Sequence, residues 1–178
     1  MIPKKVFLTK GVGRHQEKLE SFEMALRDAG IEACNIVEVS SIFPPNAKHI
    51  TKAKGLKMLK PGQITFCVMS KNQSDTKNRL ISASIGIATP KDRKTYGYLS
   101  EHHAFGEKEA GKHAEDLAVA MLAMKMGFKL DPNKHWDETK QKWKIKKRVV
   151  ETSSITASTI VKKSSEWTTV ISAAVLLP

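Results

Sequence analysis

The stretch Ile81-Ser82-Ala83-Ser84-Ile85-Gly86-Ile87-Ala88 alternates apolar residues, mostly isoleucine, with small residues. Side chains that alternate with period two point to opposite faces of a β-strand. The stretch therefore predicts a strand with one apolar core face. Its other face is small enough for a second layer of structure to pack closely on it.

The segments that flank this strand predict its neighbours. Residues 96–105 have the composition of a second strand, and residues 107–126 carry an alanine-rich stripe at helical spacing, followed by Gly127 as a helix cap. Leu19, Phe22 and Leu26 recur at steps of three and four, which predicts another helix, ended by Gly30. Further strands are expected at residues 5–8, 35–39, 64–69, 144–159 and 167–177.

A chain of mostly strands with two long helices predicts an α+β fold, with helices covering largely antiparallel sheets. The run at 64–69 is apolar throughout, as in a strand that is covered on both faces. Gly11-Val12-Gly13 follows the first strand and lacks the spacing of a dinucleotide-binding loop. We interpret it as a turn.

Composition restricts the class of protein. The chain has 178 residues, of which 40% are hydrophobic and 27% charged, values typical of one globular domain rather than a disordered chain. No apolar run reaches the roughly 18–20 residues of a membrane-spanning helix, and the start lacks the apolar region of a secretory signal, so we expect a cytoplasmic protein. Cys34 and Cys67 lie in apolar stretches without metal-ligand spacing, which predicts buried, reduced thiols and no metal site.

The charge balance is unusual, because 30 basic and 18 acidic side chains give a net charge of +12. Such a charge is compatible with a polyanionic partner. The densest basic segment, residues 140–148, places Lys142, Lys144 and Lys146 on one face of a strand and Trp143 on the other. We favour a solvent-facing sheet edge over a phosphate-binding patch, so nucleic acid is not the expected partner.

The segment Val39-Ser40-Ser41-Ile42-Phe43-Pro44-Pro45-Asn46 carries a resemblance to a known family. It resembles the self-cleavage site of the pyruvoyl-dependent arginine decarboxylases. Residues 22–31, 81–88, 96–101 and 167–175 are also similar to that family, so the resemblance covers essentially the whole chain. It implies a four-layer αββα sandwich and a carbon–carbon lyase that makes agmatine and carbon dioxide from L-arginine, as in polyamine biosynthesis or acid consumption.

The resemblance also implies how the cofactor arises. Ser41 Oγ attacks the carbonyl of Ser40, the acyl group moves to oxygen, and elimination separates residues 1–40 (the β chain) from residues 41–178 (the α chain). Ser41 becomes a covalent pyruvoyl group. Substrate amine forms a Schiff base with this group, and the adjacent carbonyl accepts the electrons left when carbon dioxide departs.

Two further residues receive roles from the resemblance. Asn35 matches an asparagine close to the cleaved bond, where its amide can stabilise an oxyanion. Glu101 matches the glutamate that returns a proton to the substrate after carbon dioxide has left, a role that needs a partly apolar site, with Tyr98, Leu99 and Phe105 as candidate walls.

Glu23 is the candidate carboxylate for the substrate guanidinium, because a basic protein must place an acid locally to hold a cation. It is one methylene longer than the aspartate usual in the family. Decarboxylation of lysine or ornithine therefore stays open, as does a non-enzymatic module that binds nucleic acid through residues 140–148. The expected assembly is a homotrimer of cleaved chains with active sites between neighbours, or a dimer of such trimers.

Overall fold

The computed structural model describes residues 1–106, 109–127 and 150–178 with their side chains, and residues 136–137, 142–145 and 148–149 by their backbone alone. The helices are α1 (Lys18–Ala29), α2 (Lys52–Leu56) and α3 (Ala110–Lys125). The strands are β1 (Lys5–His15), β2 (Asn35–Glu38), β3 (Ile42–Phe43), β4 (Lys48–His49), β5 (Ile64–Ser74), β6 (Leu80–Pro90), β7 (Gly97–Phe105), β8 (Trp136–Asp137), β9 (Lys142–Ile145), β10 (Arg148–Ile160) and β11 (Trp167–Leu177).

These strands form two sheets. The first sheet has the order β2-β5-β11-β1-β4, and the second has the order β3-β7-β6-β10-β9-β8. All strand pairs in the second sheet are antiparallel, whereas the first sheet has two parallel pairs at its edges, β2 with β5 and β1 with β4. The expectation of largely antiparallel sheets is confirmed.

The sheets pack face to face, and one long helix covers the outer face of each sheet. Helix α1 packs on β1 and β11, and α3 packs on β6, β7 and β10. Four apolar clusters fill the layers: one beneath α1, one beneath α3 and two between the sheets. The α+β fold and the αββα layering are therefore confirmed.

The first half of β5, residues 64–69, shows why this run is almost entirely apolar. Cys67 and Met69 contribute to the cluster beneath α1. Val68, one residue along, contributes to the cluster between the sheets, together with Phe66. Because both faces of the strand are buried, alternation of polar and apolar residues is lost there. The interpretation of residues 64–69 as a strand covered on both faces is confirmed.

The interpretation of Gly11-Val12-Gly13 as a turn is wrong. All three residues lie inside β1 and pair with β11. A Cβ atom on Gly11 would collide with the backbone of α1 at Ala25, and one on Gly13 would collide with it at Ser21. The glycines are therefore there to let a helix lie against the strand. Gly86 does the same for α3, since its Cβ would collide with the backbone at Ala114.

The helices begin and end close to where the spacing predicts. Gly30 and Gly127 both have left-handed backbones, with φ of 79° and 75°, and follow α1 and α3 as expected. Of the helix expected at 107–126, residues 107 and 108 lie outside the described part. No helix among the described residues has the length and apolarity needed to cross a membrane.

Two expectations concern the cysteines and the basic segment. Both cysteines are free thiols, but only Cys67 is buried, because Cys34 lies in the half-exposed loop before β2. Within the basic segment, residues 142–145 form the expected strand, β9, but the expectation of a sheet edge is wrong, because β9 pairs with β10 on one side and with β8 on the other. The side chains on which a phosphate-binding patch would depend lie outside the described residues.

Candidate active site

The segment around Ser40 and Ser41 is where the chain crosses from one sheet to the other. Strand β2 is the edge of the first sheet, and β3 is the edge of the second. The Val39 N–H donates to the Cys67 carbonyl of the first sheet at 2.9 Å, and the Leu99 N–H of the second sheet donates to the Ser41 carbonyl at 2.9 Å. Two backbone hydrogen bonds to different sheets therefore flank the peptide bond between Ser40 and Ser41.

The two reacting groups of that bond already have partners. The Ser40 carbonyl accepts a hydrogen bond from the Ile42 N–H at 2.9 Å. The Ser41 hydroxyl donates to Glu101 Oε2 at 2.8 Å. Ser40 is exposed and Ser41 is half-buried. The carbonyl that would be attacked thus has a hydrogen-bond donor, and the hydroxyl that would attack has a carboxylate to receive its proton.

Pairing of β3 with β7 brings Ser41 and Glu101 together, although they are 60 positions apart. Ile42 pairs with Tyr98 and Phe43 with Gly97, so Ser41 lies beside the middle of β7. Leu99 contributes to the cluster between the sheets, and Glu101, two residues along, lies on the same face of the strand. This is the pair that the resemblance predicts as nucleophile and acid.

An apolar cavity of about 490 Å³ opens beside Ser40. Val39, Ile42, Phe66 and Leu176 contribute to its lining. A hydrogen bond at the border of an apolar region is screened less than one in bulk water. Ser40 and Ile42, whose backbone groups form such a bond, both line this cavity. Residue patterns alone did not indicate it, because Phe66 and Leu176 come from strands that are distant in the sequence.

The thiol nearest to the crossover does not compete as a nucleophile. Burial, with a smaller contribution from the negative charge of Glu38, raises the pKa of Cys67 to about 12. A thiol with that pKa is protonated at neutral pH, and only the thiolate is reactive. Cys67 is therefore an unreactive, buried thiol at neutral pH.

Asn35 lies at the other end of β2. Its side-chain amide donates to the Gly62 carbonyl at 2.8 Å, and the residue is exposed. An extended chain rises about 3.3 Å per residue, so Asn35 and Ser40 are roughly 15 Å apart along the strand. Within one chain the structure does not bring Asn35 to the bond between Ser40 and Ser41.

Glu23 also lies away from Ser41 within one chain. It is a half-buried residue of α1, on the outer face of the first sheet, and its carboxylate forms an ion pair with Arg27 at 2.8 Å. Arg27 presents to Glu23 the same guanidinium group as free arginine. The side chain is thus held in a position where it binds a guanidinium, but no contact in the described part of the chain joins it to Ser41 or Glu101.

The expected apolar enclosure of Glu101 is not formed by the described residues of a single chain. Glu101 is exposed. Tyr98 packs toward α3, on the opposite face of β7, and Phe105 is 55% exposed with Arg79 over its ring. Leu99 and Phe105 lie on the same face of β7 as Glu101, but Phe105 is four residues away and exposed, so of the three candidates only Leu99 is a buried neighbour. Among the described residues, no group of three His, Cys, Asp or Glu side chains could hold a metal ion.

The sequence analysis missed the backbone groups of this site. The amides of Ile42 and Leu99 hold the two carbonyls of the Ser-Ser pair. Every non-proline residue carries such an N–H group, so residue identity gives no signal for it. Their position follows only from the pairing of β3 with β7.

Comparisons with known proteins identify the family. A family model described as "Pyruvoyl-dependent arginine decarboxylase" matches residues 5–178. The chain is 55% identical to a Chloroherpeton thalassium protein named "Probable pyruvoyl-dependent arginine decarboxylase" and 53% identical to a Nitrosopumilus maritimus protein named "Pyruvoyl-dependent arginine decarboxylase". A third relative, "Pyruvoyl-dependent arginine decarboxylase 2" of Methanosarcina acetivorans, is 47% identical. Each comparison covers 99% of this chain and 98% of the relative.

The resemblance found in the residues is thus confirmed along nearly the whole chain. The family name implies a covalently bound pyruvoyl group and a lyase. A serine that could become this group lies at the sheet crossover, with its hydroxyl on the carboxylate of Glu101 and the preceding carbonyl on a backbone N–H. This chain belongs to the pyruvoyl-dependent arginine decarboxylase family.

Proposed function

We propose that the chain cleaves itself between Ser40 and Ser41 and then decarboxylates L-arginine to agmatine and carbon dioxide. The hydrogen bond of 2.8 Å from Ser41 Oγ to Glu101 Oε2 carries the proposal, because it places a base on the hydroxyl beside the bond to be broken. Family membership supports the substrate and the pyruvoyl group. The products of cleavage are residues 1–40 and 41–178.

The first step joins Ser41 Oγ to the carbonyl carbon of Ser40 while Glu101 takes the hydroxyl proton. Negative charge develops on the Ser40 oxygen, which accepts the Ile42 N–H. One donor of this kind typically lowers the barrier by about 3 kcal/mol. The peptide C–N bond then breaks, its nitrogen takes up a proton, and an ester links Ser40 to the Ser41 side chain.

The second step breaks that ester by elimination. The Cα proton of Ser41 is removed, the Cβ–O bond breaks, and Ser40 leaves with a free carboxylate. Water then replaces nitrogen on the unsaturated residue 41, which releases ammonia and leaves the pyruvoyl group at the start of the longer fragment. The fragments stay together because β1, which belongs to residues 1–40, pairs with β11 along its whole length.

When formed, the pyruvoyl group supplies a carbonyl that binds the substrate amine and accepts the electrons released by decarboxylation. We assign Glu101 a second role, the return of a proton to the α-carbon of the substrate. The contact with Ser41 adds to the role that the sequence predicts for this residue, because it lets one carboxyl serve both cleavage and turnover.

We assign recognition of the guanidinium to Glu23. Its present partner, Arg27, is one helical turn away, and exposed pairs of this spacing contribute only about 0.3–0.5 kcal/mol. A substrate guanidinium can therefore replace Arg27 at little cost. Glu23 is one methylene longer than the aspartate usual in the family. A comparison of arginine with a shorter basic substrate, such as ornithine, would test whether this length changes the substrate preference.

We further propose that the complete site forms between two copies of the chain, as part of a trimer. Glu23 and Asn35 lie away from Ser41 within one chain, and Glu101 is exposed there. Apolar side chains are also exposed on α1 and on strands β2, β3, β5 and β7. They are Leu19, Val37, Ile42, Ile64 and Phe105. A second copy would cover them and enclose Glu101. A cytoplasmic location, where Cys34 and Cys67 stay reduced, suits this assembly.

The first prediction concerns the nucleophile. Ser41→Ala should remain a single chain without decarboxylase activity, because the attacking oxygen and the source of the carbonyl are both removed. Ser40→Ala is the matched control, since it removes a neighbouring hydroxyl and keeps the nucleophile, and it should yield two fragments. Denaturing intact-mass analysis measures both variants. Fragments 1–40 and 41–178 from purified Ser41→Ala would refute the assignment.

The second prediction separates the two roles of Glu101. Glu101→Gln keeps an oxygen that accepts the Ser41 hydroxyl but cannot take or return a proton. We expect cleavage, and then arginine turnover by the cleaved fraction, to slow by a factor of about 10² to 10⁴ each. His103 is exposed on the same face of β7 as Glu101. The control variant His103→Gln should therefore leave both rates unchanged.

A cleavage time course and an agmatine assay normalised to pyruvoyl content measure the two rates. If Glu101→Gln is cleaved at the unmutated rate, Glu101 is not the base for cleavage. If its cleaved fraction turns over arginine at the unmutated rate, Glu101 is not the proton donor.

The third prediction concerns substrate charge. Glu23→Gln should raise the KM for arginine by about tenfold or more, because hydrogen bonds to charged groups contribute about 1.5–3 kcal/mol, while cleavage proceeds normally. Glu20→Gln, on the same helix, is the control and should leave KM unchanged. Citrulline, the neutral analogue, should be a poor substrate. Equal turnover of arginine and citrulline would show that no carboxylate reads the guanidinium.

The fourth prediction tests the shared site. Asn35→Ala alone should slow cleavage about 100-fold, as expected for one lost oxyanion donor. When a tagged Asn35→Ala chain is assembled with Ser41→Ala chains, the Asn35 of a neighbour becomes available, and the tagged chain should be cleaved close to the unmutated rate. Mass analysis of the tagged chain over time measures its rate of cleavage. Tagged chains that co-assemble and still cleave as slowly as Asn35→Ala alone would contradict a site between copies.

A further inference from the structure

A second cavity includes Phe43 of β3, which follows Ser41 by two residues, in its lining. Its volume is about 430 Å³. A cavity of this size is in the range of small-molecule sites and is much larger than the roughly 30 Å³ that one water occupies in the liquid. It is lined by the ends of β6 and β10, by β4 and by the turn that follows β6.

One wall of this cavity is basic. Lys91 and Arg93 from the turn after β6, and His49 from β4, line it together. Glu151 is the carboxylate in the lining, and it is engaged by Arg93. The described lining therefore keeps one positive charge in excess, which is carried by Lys91.

Arg93 is held in place by several contacts. Its Nη2 and Nε donate to Glu151 Oε2 at 2.7 and 3.3 Å. Its backbone N–H donates to the Pro90 carbonyl, and its own carbonyl accepts the Asn46 N–H, both at 2.9 Å. Arg93 has a left-handed backbone with φ of 50°, a conformation that non-glycine residues seldom adopt. A guanidinium has five N–H donors, and Glu151 uses two of them.

His49 contributes a neutral polar group to this wall. Its pKa is lowered, first by partial burial and then by the positive charge of Arg93. An imidazole that is neutral near pH 7 offers one N–H donor. Thr89 and Ser153, which carry hydroxyls, also line the cavity. The lining thus combines two cationic side chains, those of Lys91 and Arg93, with several neutral hydrogen-bonding groups.

The floor of the cavity is apolar. Phe43 and Ile87, which belong to the cluster between the sheets, form part of it. We propose that this cavity is a binding site for a small organic anion, whose phosphate or carboxylate contacts Lys91 and Arg93 and whose body lies on Phe43 and Ile87. Neither Ser41 nor Glu101 lines this cavity, and the proposal does not depend on the proposed function.

Binding to the purified chain tests this proposal, with AMP as the phosphate probe, citrate as the carboxylate probe and adenosine as the uncharged control. Isothermal titration at fixed ionic strength should show that AMP or citrate binds and adenosine does not. Lys91→Gln should weaken that binding about tenfold, because a charge-assisted contact is lost.

Two further variants make the result specific. Lys94→Gln removes the same charge from the same turn at a residue that does not line the cavity, and it should bind as the unmutated chain does. Ser153→Phe should block binding by filling the cavity. Absence of binding by both anions at millimolar concentration would overturn the proposal. Equal loss of affinity in Lys91→Gln and Lys94→Gln would also overturn the proposal. The loss would then come from the net charge of the chain and not from a contact inside the cavity.

Discussion

Face-to-face packing of the two sheets is the constraint on which the rest of this structure depends. Strands β5, β6 and β11 are buried on both faces, and each sheet therefore needs a helix on its outer side. The glycines of β1 and β6 make this possible, since a Cβ at Gly11, Gly13 or Gly86 would push a helix away.

The candidate active site is a consequence of that packing. The chain must leave the first sheet at β2 and enter the second at β3, and it does so within three residues. The Val39 N–H and the Ser41 carbonyl are each bonded to a different sheet. The peptide bond between them therefore cannot relax independently of the sandwich. The crossover is not what holds residues 1–40 to the rest of the chain, because β1 pairs with β11 along its whole length and β2 pairs with β5.

The charges close to each candidate site, and not the net charge of the chain, decide which ligand that site favours. The net charge of +12 opposes the approach of a cationic substrate, yet exposed charges farther apart than about 8 Å are largely screened at physiological salt. What matters is which acid lies at the site. Glu23 already holds a guanidinium, that of Arg27, and Glu101 holds the Ser41 hydroxyl. In the cavity lined by Phe43 and Ile87 the balance of charge is reversed, because Lys91 and Arg93 face a single carboxylate, that of Glu151.

The sequence by itself determined the fold class, the family and the candidate residues. Period-two alternation and alanine stripes report burial directly, so the strands at 81–88 and 64–69 and the helices ended by Gly30 and Gly127 could be predicted. The role of Gly11 and Gly13 could not be predicted from the sequence. A glycine that makes room for a helix and a glycine that forms a turn are the same residue in the sequence. Only the tertiary structure decided which candidates meet. It brings Ser41 to Glu101 through β3 and β7 and leaves Asn35 and Glu23 apart from them. Contacts between distant residues depend on strand order and register, which local patterns do not specify.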